Sequence, residues 1–186
     1  MNLHKMDSRQ IYAALKSNKR TKLCFHGIYP MDMLPDKSDL WLNTSSNKQY
    51  IIVNTDPSYK PGEHWIALCL SKNGKHNEYF DSYGQTPNNK IARYLNDNYL
   101  FLTKPMQGFL TTTCGQWCMY YILHKCFGGS FSELASSLSM LDGPLERDSY
   151  VNQIVSREFP IKEPIVDLDF IINQISQGRE MKKKKG

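Results

Sequence analysis

The apolar and polar positions of the chain alternate most clearly in its middle third, where they predict β-strands. The segment QYIIVN at 49–54 is rich in β-branched residues and is typical of a buried strand. Two further strand-like segments, HWIALCLSK at 64–72 and HNEYFDSY at 76–83, flank the dipeptide Asn73-Gly74. This dipeptide favours a tight type I′ turn, because both central residues of that turn need positive φ. The pattern therefore predicts a β-hairpin.

The predicted hairpin has a defined register. If Lys72 faces Lys75, residues whose numbers sum to 147 face each other, and His64 lies opposite Tyr83. Asp81 then points to the same side of the sheet as His64. Diagonal neighbours in such a ladder are roughly 7–8 Å apart at the backbone, within reach of an imidazole and a carboxylate. The hairpin therefore predicts a His/Asp pair on one face.

Helical periodicity dominates both ends of the chain. An amphipathic helix capped by Ser8 is predicted first, followed by an irregular stretch at 24–39. Further helices are predicted at Asn89–Tyr99, from Cys114 to the Gly128-Gly129 pair, at Phe131–Leu141, at Ser149–Glu158 and at Ile165–Gln177, with a short strand at Leu100–Leu102. The expected fold class is α+β, with a mixed central sheet around 49–102 flanked by helices.

The composition is that of one globular domain. The chain has 186 residues, of which 40% are hydrophobic and 22% charged, and its mean hydropathy is −0.52. We expect a single domain over residues 1–178 and a disordered basic tail over 179–186. No segment approaches the roughly 18 apolar residues of a membrane span, and the first ten residues lack the apolar core of a signal peptide. A protein kept inside the cell, or in a particle assembled there, is therefore expected.

Cysteine content and charge narrow the chemistry. The five cysteines include no CxxC pair, so reduced thiols are expected and no metal site is indicated. The formal net charge is +5, and four of the positive charges stand at Lys182, Lys183, Lys184 and Lys185. Such a run is typical of a solvated tail, and it could also contact nucleic acid. The sequence leaves both interpretations open.

Cys114 stands where a helix would begin, which is a favourable place for a nucleophile. A helix N-terminus and a neighbouring imidazolium both stabilise a thiolate, and the His64/Asp81 pair could supply the imidazole and the group that orients it. The backbone amide of Cys114 and the side-chain amide of Gln107 are candidate donors to an oxyanion. A single cysteine on an apolar helix is more often a small core residue, and Cys118 and Cys126 are assigned to that class.

The order and spacing of these residues resemble a known protease family. The motifs are Gly62-x-His64-Trp65, Phe80-Asp81-Ser82-Tyr83-Gly84 and Gln107-Gly108-x5-Cys114-Gly115, with weaker similarity at Phe25-x-Gly27-x-Tyr29 and at Ile52–Thr55. Over roughly residues 8–140 the chain resembles the adenain-like maturation proteases of adenoviruses and the clan that they share with SUMO and ubiquitin-like deconjugating proteases. The seven-residue step from Gln107 to Cys114 is the adenain spacing, whereas the deconjugases are typically one residue shorter.

The resemblance implies a cysteine protease domain of papain-like fold, with a role for each motif residue. It implies that Cys114 is the nucleophile, His64 the general base and then acid, Asp81 the carboxylate that orients the imidazole, and Gln107 the oxyanion donor. Trp65 would bind substrate and narrow the groove, so that cleavage is expected at glycine-containing sites. Gly115 is also assigned to substrate binding, because a glycine lets the substrate approach the backbone of the nucleophile closely.

The resemblance also implies a biological setting. The expected function is the processing of capsid or virion precursor proteins by a monomeric viral endopeptidase, of adenovirus, virophage or Maverick/Polinton type, in the virion and at the site of assembly. No cofactor is required for the chemistry, and viral DNA could stimulate the enzyme through its basic residues. A disulfide-linked peptide activator is not supported, because Asn96 stands where adenain has the cysteine. Two alternatives remain open: a SUMO or ubiquitin-like deconjugase, and a nucleic-acid-binding structural protein with a vestigial site.

Overall fold

The computed structural model describes residues 6–42 and 44–160, which form a five-stranded mixed sheet with helices on both faces. The strands are β1 (Phe25–Pro30), β2 (Lys48–Asn54), β3 (Trp65–Ser71), β4 (Asn77–Phe80) and β5 (Tyr99–Phe101). The helices are α1 (Ser8–Ser17), α2 (Asn89–Tyr94), α3 (Cys114–Cys126), α4 (Phe131–Ser139) and α5 (Pro144–Glu158), with a 3₁₀ turn at Asp39–Trp41. The strands lie in chain order; β1 and β2 are parallel, β3 is antiparallel to both of its neighbours, and β4 and β5 are parallel. The predicted α+β class with a mixed sheet is confirmed.

The alternation of side chains along β2 separates two hydrophobic cores. Tyr50 and Ile52 face the larger core, which contains apolar residues of α1, α3, α4 and α5. Ile51 and Val53 face the opposite core, which the 3₁₀ turn and α2 cover. A strand with both faces buried reads as a continuous apolar run, which explains the composition of this segment.

Helix α3 is enclosed by the rest of the fold. Every residue from Cys114 to Leu123 is buried, because the helix contacts β3, α1, α4 and α5. The predicted start of the helix at Cys114 is confirmed, and so is its end before Gly128, whose φ is 84°. Because α3 is surrounded on all sides, it needs apolar residues on every face and not on one face only.

The β3–β4 hairpin has the predicted register but a different turn. Ala67 pairs with Phe80 and Leu68 with Tyr79, as the sum of 147 requires. However, positive φ occurs at Gly74 (70°) and not at Asn73, and β3 and β4 are joined by residues 72–76. The two-residue type I′ turn is therefore wrong.

Several predicted boundaries differ from the structure. Asp7, not Ser8, caps α1, since its Oδ1 accepts from the backbone N–H of Gln10 at 2.8 Å. Residues 25–30 form the edge strand β1 instead of an irregular stretch, α2 ends at Tyr94, and α5 begins at Pro144. The helix predicted at 165–177 and the basic tail at 179–186 lie outside the described residues.

Candidate active site

Two neighbouring strands bring His64 and Asp81 together. His64 directly precedes β3 and Asp81 directly follows β4, and Nε2 of His64 lies 2.9 Å from Oδ1 of Asp81. Asp81 also accepts from the backbone N–H of Tyr83 at 2.7 Å and from the hydroxyl of Tyr79 at 3.2 Å. The ring of Tyr83 lies 4.8 Å from that of His64, centroid to centroid. The contacts expected from the hairpin register are present, and the carboxylate is held by three donors.

The surroundings of His64 favour its protonated form. Burial of the ring disfavours the charged form, but the hydrogen bonds and charges of Asp81 and the neighbouring Cys114 outweigh burial and raise the pKa of His64 to about 9. Nδ1 of His64 is buried and has no hydrogen-bond partner among the described residues. With Asp81 accepting the Nε2–H, Nδ1 is the nitrogen left to exchange a proton with Cys114.

Cys114 is the first residue of α3 and is buried, with 5% of its surface exposed. Thr113 occupies the cap position, yet its side chain makes no capping hydrogen bond. Its hydroxyl instead donates to Asp148 at 3.0 Å. The partial positive charge at the N-terminus of α3 is therefore not offset by the Thr113 side chain, and it can stabilise negative charge that develops next to the thiol.

Gln107 is also buried. Its hydrogen-bond partners fix the orientation of its side-chain amide. The hydroxyl of Ser82 donates to Oε1 at 2.7 Å, while Nε2 donates to the carbonyl of Thr111 at 2.9 Å. Only an amide nitrogen can donate to a carbonyl, so Nε2 must be the atom on the Thr111 side. A second, longer contact joins Nε2 to the Tyr83 hydroxyl at 3.2 Å. Ser82 thus links Gln107 to the chain segment that carries Asp81.

Asp148 of α5 is a part of this site that the sequence did not reveal. The residue is fully buried, and it accepts from the backbone N–H of Gly108 at 3.0 Å and from the indole N–H of Trp117 at 2.6 Å. It lies 40 positions from Gly108 along the chain. The signal that could have found it is an acidic residue at a position whose helical neighbours, Val151 and Val155, are apolar and buried.

Trp65 and Gly115 are neighbours next to the thiol. A Cβ added at Gly115 would lie 3.7 Å from Cδ1 of Trp65 and 2.8 Å from Cδ1 of Ile11. Ile11 and Trp65 therefore occupy the space that a side chain at position 115 would need. Trp65 also lines a cleft of about 490 Å³, together with Met6, Ile28, Asn54, Lys60 and Gly62.

The other candidate residues lie away from the site or outside the described residues. Cys118 is fully buried in the larger core, as predicted. Cys126 packs against the same core but is partly exposed, and its sulfur lies 2.6 Å from that of Cys24. The described residues contain no group of three or more potential metal ligands and no helix long and apolar enough to cross a membrane. The lysines at 182–185 lie in the part of the chain that is not described.

Solved structures with the same arrangement of elements are proteases and a ubiquitin-binding effector. No protein-family profile and no curated protein matches the sequence. The ASFV pS273R protease matches with a TM-score of 0.60 and 18% identity over 81% of this chain and 67% of its own. The Chlamydia trachomatis effector Cdu1, solved bound to ubiquitin, matches with a TM-score of 0.55 and 14% identity over 84% of this chain and 93% of its own. These likenesses show that the chain has the papain-like α+β fold.

Proposed function

We propose that the protein is a cysteine endopeptidase in which Cys114, His64, Asp81 and Gln107 carry out the reaction. The observation that carries the proposal is the 2.9 Å contact of Asp81 with Nε2 of His64, which leaves Nδ1 without a hydrogen-bond partner among the described residues and available to the neighbouring Cys114. A cysteine, an imidazole with an orienting carboxylate and a buried amide donor are the parts that acyl transfer requires. The fold, which the ASFV pS273R protease shares, supports the same interpretation.

The geometry supports a two-step acyl transfer. Nδ1 of His64 holds the proton that Cys114 gives up, so that a thiolate beside a protonated imidazole attacks the peptide carbonyl carbon and forms a tetrahedral intermediate. Protonated His64 then gives that proton to the departing amine as the C–N bond breaks, leaving a thioester on Cys114. A water molecule, deprotonated by His64, hydrolyses the thioester and restores the free thiol. Asp81 holds the imidazole in the required tautomer throughout.

The oxyanion of each intermediate would be stabilised by the backbone N–H of Cys114 and by Nε2 of Gln107. One N–H of that amide is engaged by the Thr111 carbonyl at 2.9 Å. Nε2 also lies 3.3 Å from the Thr111 hydroxyl and 3.2 Å from the Tyr83 hydroxyl, and its N–H on the Tyr83 side is the one that would donate to the oxyanion. A donor fixed in a buried site stabilises developing charge without reorganisation at the moment of reaction.

The substrates we propose are viral capsid or virion precursor proteins, cut at glycine-containing sites in the virion or where virions assemble. The ASFV match is to a viral protease, and the resemblance to the maturation proteases in the motif Gly62-x-His64-Trp65 supports cleavage at glycine-containing sites. Residues 1–178 would form one protease domain acting as a monomer. Stimulation by viral DNA through Lys182–Lys185 would be recognised by a steep dependence on salt.

The test is co-expression of the protein with candidate precursor proteins, followed by mass spectrometry of the products. The Cys114→Ala variant should abolish cleavage while keeping the far-ultraviolet circular dichroism of the wild type. The Cys126→Ala variant is the matched control, because it removes a thiol that is remote from His64 and should leave the cleavage sites unchanged. Processing that continues in Cys114→Ala would exclude Cys114 as the nucleophile.

A second candidate function is removal of ubiquitin or SUMO-like modifiers. The similarity to Cdu1, which was solved bound to ubiquitin, favours it, whereas the seven-residue step from Gln107 to Cys114 favours the maturation proteases. Electrophilic probes built on the C-termini of ubiquitin and SUMO would decide. Labelling of Cys114 by such a probe, without cleavage of any precursor, would support the deconjugase.

A further inference from the structure

One buried carboxylate connects the segment between Gln107 and Cys114 to helix α5. Asp148 is fully buried, and no basic side chain contacts it among the described residues. Its four donors are the backbone N–H of Gly108 at 3.0 Å, the hydroxyl of Thr111 at 2.8 Å, the hydroxyl of Thr113 at 3.0 Å and the indole N–H of Trp117 at 2.6 Å. Four convergent donors satisfy the lone pairs of a carboxylate that no cation neutralises.

The two oxygens of Asp148 serve different parts of the site. Oδ2 accepts from Gly108 and Thr111, which belong to the loop after Gln107. Oδ1 accepts from Thr113, at the cap position of the helix of the nucleophile, and from Trp117, in the first turn of that helix. A single rigid group therefore sets the position of this loop relative to the start of α3.

Residues of α5 hold the chain on both sides of Gln107. On one side, Nε of Arg147 donates to the carbonyl of Met106 at 3.0 Å. On the other, the carbonyl of Thr111 accepts from Nε2 of Gln107 at 2.9 Å, while the hydroxyl of Thr111 lies 2.8 Å from Asp148. Two consecutive residues of α5 thus hold the backbone before and after Gln107.

Gly108 shows how closely the carboxylate approaches the loop. A Cβ at this position would lie 3.0 Å from Oδ2 of Asp148. The absence of a side chain lets the amide of Gly108 reach the carboxylate directly. We propose that Asp148 is the positioning residue of the oxyanion site, acting through Thr111 and Gly108 to hold the amide of Gln107 beside the nucleophile. The proposal rests on the proposed function of Cys114 and Gln107.

The first experiment compares kcat, KM and alkylation of Cys114 in Asp148→Asn and in the wild type, with Glu146→Gln as the control. Glu146 is an exposed carboxylate on the same helix, and its hydrogen bond among the described residues is with the backbone N–H of Asp142. We expect Asp148→Asn to lower kcat by about 100-fold, the scale of a misplacement near 1 Å, with KM unchanged. The rate of iodoacetamide labelling at Cys114 should stay within about twofold, because the His64–Cys114 contact does not involve Gln107.

Thr111 provides a second variant that does not depend on the folding of Asp148→Asn. Thr111→Val removes the hydroxyl that faces Asp148, and Thr111→Ser retains it. We expect kcat to fall roughly tenfold in Thr111→Val, the equivalent of one hydrogen bond, and to return to near the wild-type value in Thr111→Ser. Equal kcat values in the two variants would overturn the proposal.

A double-mutant cycle with Gln107→Ala separates positioning from general stability. If Asp148 acts through Gln107, Asp148→Asn should change kcat less than about threefold in the Gln107→Ala background. If the two losses multiply, Asp148 acts elsewhere and the proposal fails, even though the proposed function stands. A wild-type protein that cleaves no precursor and no modifier probe would instead remove the proposed function, and this inference with it.

Discussion

At the residue scale, the reactivity of the site depends on the balance of forces on His64. Burial alone would keep the imidazole neutral, but Asp81 and Cys114 raise its pKa to about 9. His64 is thus protonated across the neutral range, which suits a group that must donate a proton to the leaving amine. A histidine with its ordinary pKa near 6.5 would be mostly neutral at the same pH.

The first prediction concerns the pH dependence of peptide-amide hydrolysis. Because the leaving amine needs protonated His64, kcat/KM should fall as the pH rises through about 9. Asp81→Asn removes one cause of the raised pKa, so this alkaline limb should move to lower pH. The measurement is a pH–rate profile from about pH 6 to pH 10 at constant ionic strength. An alkaline limb at the same pH in both proteins would mean that another group controls it.

The second prediction compares Gln107 with the serine that orients it. Gln107→Ala removes an oxyanion donor and should raise the barrier by about 2.7–4 kcal/mol. Ser82→Ala removes only the hydroxyl that donates to Oε1 at 2.7 Å, so its cost should be about 0.5–1.5 kcal/mol. Both effects should appear in kcat, measured on one peptide substrate. A Ser82→Ala variant as slow as Gln107→Ala would show that Ser82 does more than orient the amide.

The sequence indicated the residues that we propose to react but not the residues that hold them. His64, Asp81, Gln107 and Cys114 were recognisable because each has a chemistry of its own and a characteristic spacing. Ser82 acts through its hydrogen bond to a side chain 25 positions away. Its hydroxyl carries no such signal, since a serine after a strand is equally typical of a turn.

At the element scale, the β3–β4 register was predicted correctly although the type of turn from which it was derived was wrong. The register is strongly specified all the same, because a slip of one residue would exchange the two buried faces of β3. Strand β1 was missed for the opposite reason. It is an edge strand with mixed burial, a register shift between Phe25 and Gly27, and Pro30 at its end, so its pattern is weak.

The third prediction tests the turn that follows β4. Gly84 has a φ of 68°, and a Cβ there would lie 2.7 Å from the carbonyl oxygen of Thr103. Gly128 has a φ of 84° but nothing within 4 Å, so it is the matched control for backbone strain alone. We expect Gly128→Ala to cost about 1–2 kcal/mol of unfolding free energy. Gly84→Ala should cost roughly 1–3 kcal/mol more, because backbone atoms must also move.

Urea denaturation of both glycine variants would check this difference. The turn at 81–84 is closed by a 3.0 Å hydrogen bond from the N–H of Gly84 to the carbonyl of Asp81. A distorted turn would therefore also lower the activity of Gly84→Ala, whereas Gly128→Ala should keep it. If both variants lost the same stability, the loop carrying Thr103 would move to make room for the added Cβ without a cost in unfolding free energy.

At the scale of the whole molecule, α3 joins the site to the sheet through polar contacts as well as packing. Glu78 of β4 is buried against the far end of this helix. Its Oε1 lies 2.8 Å from Nζ of Lys125, and its Oε2 accepts from the hydroxyl of Tyr121 at 2.7 Å. The side chains of Glu78 and Lys125 are only 5% and 6% exposed. The cluster therefore lies inside the larger core, at the other end of the helix from Cys114.

The fourth prediction is that this ion pair orders the core without contributing net stability. Glu78→Gln should lower the free energy of unfolding by about 3–5 kcal/mol, because it leaves the charge of Lys125 buried without a partner. A triple variant, Glu78→Leu with Tyr121→Phe and Lys125→Met, removes the charges and the orphaned hydroxyl together. It should recover the wild-type stability or exceed it by about 1–4 kcal/mol, as replacement of buried ion clusters by apolar groups does. Urea denaturation and kcat should be measured together. Among the described residues, Glu78 makes no hydrogen bond or ion pair with the four residues proposed to react, so kcat should stay near the wild-type value in every folded variant. A triple variant as unstable as Glu78→Gln would show that the pair is a net source of stability.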